Sequence, residues 1–177
     1  MFQKILVAMD NSDTNRDIFD RALTLAKSTD ARLMLLHVLS SDDEGSPGMP
    51  LYPHLSFYPS VDDAVWENYR VQWEAIEKQG IERLQAYTKE AMTLGVKTEF
   101  TQTPGSPGRV ICNLARTWEA DLIITGSRGR TGLSEMFLGS VSNYVTHHAP
   151  CSVLIIHASK QPANGESQNQ QEELASV

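Results

Sequence analysis

Two clusters in this chain have residue types and spacing suited to chemistry, and each lies where a short apolar run gives way to polar residues. The first is Asp10-Asn11-Ser12-Asp13, directly after Phe2–Met9. The second is Gly126-Ser127-Arg128-Gly129-Arg130-Thr131-Gly132-Leu133-Ser134-Glu135-Met136-Phe137-Leu138-Gly139-Ser140, directly after Ala120–Thr125. Glycines admit positive φ and let a ligand reach the main chain with no Cβ in the way. Successive N–H groups in such a loop, joined to the positive end of a helix beginning near Ser140, make an anion site. Arg128 and Arg130 add charge suited to a polyphosphate, and Ser140 can cap the helix, donate to a phosphate or sit beside a metal ion.

The residues speak against other chemistries. A Walker A loop ends in Gly-Lys-Ser/Thr, and no Lys follows these glycines. The dinucleotide fingerprint belongs after the first strand, where this chain has Asp10-Asn11-Ser12-Asp13. Ser127, Ser140 and Ser142 lack the Gly-x-Ser-x-Gly elbow of a serine hydrolase. His147 and His148 fall in a predicted last helical turn, where adjacent side chains diverge and cations suit the dipole. His37 reads as a core histidine, and the isolated Cys112 and Cys151 as small apolar residues. On spacing alone, Asp10 serves as a turn former or as a ligand group, and the glycines as a plain loop or as an anion cradle.

The elements that must position these clusters follow from periodicity. Strands are expected at Phe2–Met9, Arg32–Leu39, Val96–Thr103, Ala120–Thr125 and Cys151–His157. Helices are expected at about Thr14–Ser28, Val65–Leu94, Pro107–Trp118 and Ser140–His147. The second strand is near-continuously apolar, as a strand covered on both faces should be. On the long helix, Trp66, Tyr69, Trp73, Ile76, Gly80, Leu84, Tyr87, Ala91 and Leu94 form one stripe, expected in the core, with Gly80 marking close packing or a bend. Strands and helices in strict alternation give an α/β fold, an open five-stranded parallel sheet with helices on both faces. Ligands of such sheets sit beyond the carboxyl ends of the strands, where the winding reverses.

Residues 1–158 form the expected domain, with a Pro- and aromatic-rich insertion at about 40–63. Residues 159–177, rich in Gln, Glu, Asn and Ser, are expected to be a disordered polar tail. A chain of this length buries about two-thirds of its unfolded surface and needs no disulfide or metal staple. The charge of 15 − 22 = −7 and the lack of a basic run speak against nucleic acid. No stretch approaches the length of a membrane span and no signal peptide opens the chain, so a cytoplasmic protein with no membrane partner is expected.

The spacing Gly126, two residues, Gly129, nine residues, Gly139, Ser140 matches the G-2x-G-9x-G-(S/T) motif of the nucleotide-binding branch of universal stress proteins. The opening Lys4-Ile5-Leu6-Val7-Ala8-Met9-Asp10 with Ser12, and the closing Ala149-Pro150-Cys151-Ser152-Val153-Leu154-Ile155-Ile156, resemble that family too. The resemblance covers residues 2–157 and implies a Rossmann-like, adenine nucleotide alpha hydrolase-like fold. It implies that Ala8, Met9 and Asp10 lie at the adenine and ribose, and that Val38 offers main-chain groups to the adenine edge. It implies that Thr125, Gly126, Gly129, Gly139, Ser140 and Val141 line the ribose and phosphates, with Arg128 nearby. Mg²⁺, where present, would be held by phosphates and water. The last strand, Cys151–His157, is implied as a homodimer contact. The resulting expectation is a stress-response regulator that binds ATP or AMP, without catalytic residues and at most a weak ATPase. The alternative is a nucleotide-dependent phosphoryl- or adenylyl-transfer enzyme with the insertion as a lid.

Overall fold

The computed structural model describes residues 1–10, 12, 15–41, 46–47, 59–127 and 138–157. Among the described residues nine elements alternate: β1 (Lys4–Met9), α1 (Asn15–Thr29), β2 (Arg32–Leu39), α2 (Pro59–Thr93), β3 (Thr98–Pro104), α3 (Pro107–Thr117), β4 (Leu122–Gly126), α4 (Ser140–His148) and β5 (Ser152–Ile156). All strand pairs are parallel, in the order β3-β2-β1-β4-β5. The expected tail, and residues 42–45 and 48–58 of the expected insertion, lie outside the described residues; the insertion ends sooner than expected, because α2 already begins at Pro59.

Side chains alternate across each strand, and the two faces bury separate cores. Ile5, Val7, Leu33, Leu35 and Ile124 pack with Ile18, Phe19 and Ala22 of α1 and Leu84 and Ala91 of α2. Leu6, Met34, Leu36, Val38 and Ile123 pack with Ile111, Cys112 and Ala115 of α3 and Val145 of α4. This two-sided burial is why β2 carries an unbroken apolar run. It also sorts the connections: α1 and α2 cover one face while the chain winds outward to β3, and α3 and α4 cover the other on the way to β5. The winding reverses at the β1–β4 pair. Gly108 lets α3 and α4 approach, since a Cβ there would lie 2.6 Å from Tyr144 Cδ1.

α2 departs from expectation in one respect. Its carboxyl half is core, with Tyr87 packed on Phe19 at 4.6 Å between ring centroids. Its amino half is not. Trp66 is 50% exposed, and the Trp66–Tyr69 and Tyr69–Trp73 edge contacts, at 5.9 and 6.2 Å, run along the helix itself. Neither Trp66, Tyr69, Trp73 nor Ile76 joins a core cluster. The reason is length: 35 residues of helix span roughly 52 Å at 1.5 Å per residue, whereas the 8 residues of β2 span about 26 Å. Gly80 already sits over His37 and Gln102, near the carboxyl ends of β2 and β3. Residues before it therefore overhang the edge of the sheet.

Candidate functional site

The strand ladders end unevenly, and this opens the main chain at the winding reversal. β1 pairs with β4 only as far as Val7 and Ile124, whereas β1 continues along β2 to Met9 and β4 continues along β5 to Gly126. Ala8 and Met9 on one side of the gap, and Thr125 and Gly126 on the other, thus face it without ladder partners. β2 similarly outruns β1: its pairing with β1 stops at His37 but runs on beside β3 to Leu39. That leaves the β1-facing main chain of Val38 past the ladder. Val38 and Ala8 turn their side chains to the α3–α4 face and Met9 to the α1–α2 face, so what these residues offer the gap is backbone.

Asp10 follows β1, and its Oδ1 accepts from the Ser12 N–H at 2.9 Å and from the Ser12 hydroxyl. The turn-forming and ligand readings of Asp10 are compatible, because among the described residues no donor meets Oδ2. Asn15 is a positioning residue that sequence reasoning missed. It is 2% exposed, accepts from the Asp10 N–H at 3.1 Å through Oδ1, and donates from Nδ2 to the Asp10 carbonyl. The side-chain amide replaces the missing strand partner of Asp10. Its only sequence signal was an Asn at the start of the predicted α1, where such a residue normally caps.

On the β4 side, Gly126 is held close to α1, where a Cβ would lie 3.1 Å from Ile18 Cδ1. The next residue, Ser127, is a junction: its N–H donates to the Ile156 carbonyl at 2.8 Å, and its carbonyl accepts from the Gly139 N–H at 2.9 Å. Its hydroxyl is buried with no partner among the described residues. A buried hydroxyl left without a partner costs free energy unless a ligand or water meets it. Ser127 was read only as a weak nucleophile candidate; burial, not spacing, distinguishes it.

Gly139 caps α4 with φ −60° and ψ 159° and without a side-chain cap bond. Of the roles open to Ser140, capping falls to Gly139 instead: Ser140 is the first helical residue. Gly139 also has no need of positive φ. The Gly139 carbonyl accepts from the Asn143 N–H at 2.9 Å and the Ser142 hydroxyl at 3.0 Å. The first-turn N–H groups of Ser140 and Val141 have no intrahelical acceptors and carry the positive end of the dipole. Arg128, Gly129 and Arg130 lie outside the described residues.

The remaining candidates are structural. His37 is 3% exposed and bonds Gln102. His148 Nδ1 meets the Tyr144 carbonyl at 2.9 Å, and its ring stacks on Tyr144. Burial pushes the Cys112 thiol above its usual range, and burial followed by Asp121 does the same for Cys151. Among the described residues no cluster of three or more His, Cys, Asp and Glu could hold a metal, and no helix is long and apolar enough to cross a membrane.

Comparison with known proteins identifies the lineage. The model of the Usp family, described as the universal stress protein family, matches residues 1–157. The chain belongs to that family. It is 36% identical over 155 residues to universal stress protein Sll1388 of Synechocystis, covering 88% of this chain and 97% of that one. It is 35% identical over 156 residues to YxiE of Bacillus subtilis, covering 88% and 99%. Among solved structures, UspA from Lactobacillus plantarum has a TM-score of 0.61 at 26% identity, covering 88% and 97%. A universal stress protein in complex with cAMP has a TM-score of 0.57 at 22% identity, covering 89% and 98%. A universal stress family protein from Arabidopsis thaliana with AMP bound also has 0.57, at 21% identity, covering 93% and 97%.

Proposed function

We propose that this universal stress protein is a dimeric regulator that binds an adenine nucleotide, ATP or AMP, across the gap between β1 and β4. The observation that carries the reading is the Ser127–Gly139 hydrogen bond, which draws the start of α4, free of any side-chain cap bond, to the point where the β1–β4 ladder ends. One locus then offers the first-turn N–H groups for phosphate, the Ser127 hydroxyl and Asp10 Oδ2 for ribose or base donors, and open β2 main chain for the base edge. The cAMP and AMP complexes of two structural neighbours support the same ligand class. Arg128 and Gly129 complete the proposed contacts, and phosphate oxygens and water hold any Mg²⁺. In this reading β5, an edge strand, is the surface that pairs with a second copy.

Calorimetry with ATP, AMP and cAMP tests the proposal, with Gly139→Val as the control. Charge-assisted N–H contacts contribute about 1.5–3 kcal/mol each, so displacing the phosphate from the α4 terminus should weaken binding by about tenfold or more while the fold persists. Unchanged affinity in Gly139→Val would put the phosphate elsewhere, and no binding by the wild type at millimolar nucleotide would end the nucleotide reading.

A further inference from the structure

A chain of polar contacts runs from α2 through β3 to β2 and ends in the cavity that Asp10 also lines. Gln102 Nε2 donates to the Glu77 carbonyl of α2 at 2.9 Å. That donation orients the amide, so Oε1 is the acceptor facing His37 Nδ1 at 2.8 Å, and Nδ1 must carry the ring proton. In the uncharged ring Nε2 is then an acceptor. His37 belongs to a cavity of about 10 Å³ together with Met9, Asp10, Gly80, Arg83 and Leu84, room for about one water molecule.

Gly80 makes the contact with α2 geometrically possible. A Cβ at that position would stand 2.2 Å from Gln102 Oε1 and 2.8 Å from His37 Nδ1. Any larger residue would lift the helix or push the amide off the ring. Three elements are thereby pinned at one level, immediately beside the end of the β1–β2 ladder at Met9 and His37. Val38, the next residue on β2, is the one whose main chain faces the proposed base site.

We infer that Gln102 is a positioning residue of the nucleotide site. Acting through His37, it fixes the ring tautomer, the carboxyl end of β2 and the wall of the cavity against Asp10. The inference rests on the nucleotide reading above and adds to it a residue on an edge strand with β2 and β1 between it and β4.

The test combines affinity with a direct view of the ring. In the wild type, long-range ¹H–¹⁵N spectra, with the His37 signals assigned through His37→Asn, should show His37 as the Nδ1–H tautomer. Gln102→Leu keeps the bulk and removes the acceptor; it should weaken ATP or AMP by about tenfold, the value of one well-placed hydrogen bond, and abolish the Nδ1–H preference. Gln102→Glu keeps an acceptor facing the ring but sets its other oxygen against the Glu77 carbonyl, so it should retain the Nδ1–H ring while recovering only part of the affinity. An Nε2–H ring in the wild type overturns the inference whatever the variants do. So does wild-type affinity in Gln102→Leu, or loss of the Nδ1–H preference in Gln102→Glu, which would mean that the acceptor does not set the tautomer. Absence of nucleotide binding by the wild type would instead fell the nucleotide reading and this inference with it, an outcome distinguishable because the tautomer is measured without ligand.

Discussion

At the scale of single residues, the site depends on small polar side chains that stand in for missing backbone partners. Asn15 holds both main-chain groups of Asp10, as a neighbouring strand would. Asn15→Asp keeps the size but turns a donor into an oxygen that faces the Asp10 carbonyl. A buried group left in repulsion costs about 1–3 kcal/mol, so Asn15→Asp should lower the free energy of unfolding by that amount, read as a lower urea midpoint, and weaken nucleotide binding in parallel. Urea unfolding followed by calorimetry checks both, and a variant with wild-type values in each would remove Asn15 from the site. Asp10 was legible in the sequence because an acidic turn follows an apolar strand. Asn15 was not, since its partner lies five residues back across a turn and an Asn near a helix start has a commoner use. Ser127 was equally opaque, because only the folded structure tells a buried unpaired hydroxyl from an exposed one.

At the scale of elements, sequence periodicity located every strand and helix to within a few residues, α2's amino end excepted. It indicated which face of α2 is apolar but not where the sheet beneath stops, so Trp66 and Trp73 were assigned to a core they overhang. The carboxyl half is secured to α1 by more than apolar contact. Arg16 meets both Glu90 carboxylate oxygens at 2.8 Å, a fork geometry, and also pairs with Asp20 at 2.8 Å. The hydrogen bond from Arg16 holds the Glu90 carboxyl below its ordinary range. Its stabilisation is therefore complete above the unfolded carboxyl pKa of about 4.3 and is lost as pH falls through the lower folded value. The pair is solvated, with side-chain exposures of 53% and 36%, so the effect stays below about 1 kcal/mol. Glu90→Gln should unfold at slightly lower urea than wild type at pH 7, with the gap closing near pH 3; a gap that persists in acid would mean that the Gln disturbs packing instead.

At the scale of the whole molecule, the alternation of elements gave the parallel sheet, while the strand order and the reversal at β1–β4 emerged only with the tertiary pairing. The same order leaves β5 at an edge, with Leu154 39% exposed on a strand that is otherwise apolar after Ser152. A lysine on such an edge opposes strand pairing. Leu154→Lys should convert the proposed dimer into a monomer by sedimentation velocity, with nucleotide affinity unaltered; a variant that sediments as the wild type would place the interface elsewhere. The acidity of the chain is silent about its ligand, since the proposed site is composed largely of backbone N–H groups and a helix end. The junction at Ser127 has a different kind of consequence. Because Ser127 binds Ile156 with its N–H and Gly139 with its carbonyl, the residue after β4 ties together the end of β5 and the start of α4. The end of β5 and the start of α4 therefore cannot move apart without breaking a hydrogen bond to Ser127, so a disturbance at the edge strand is passed to the helix start.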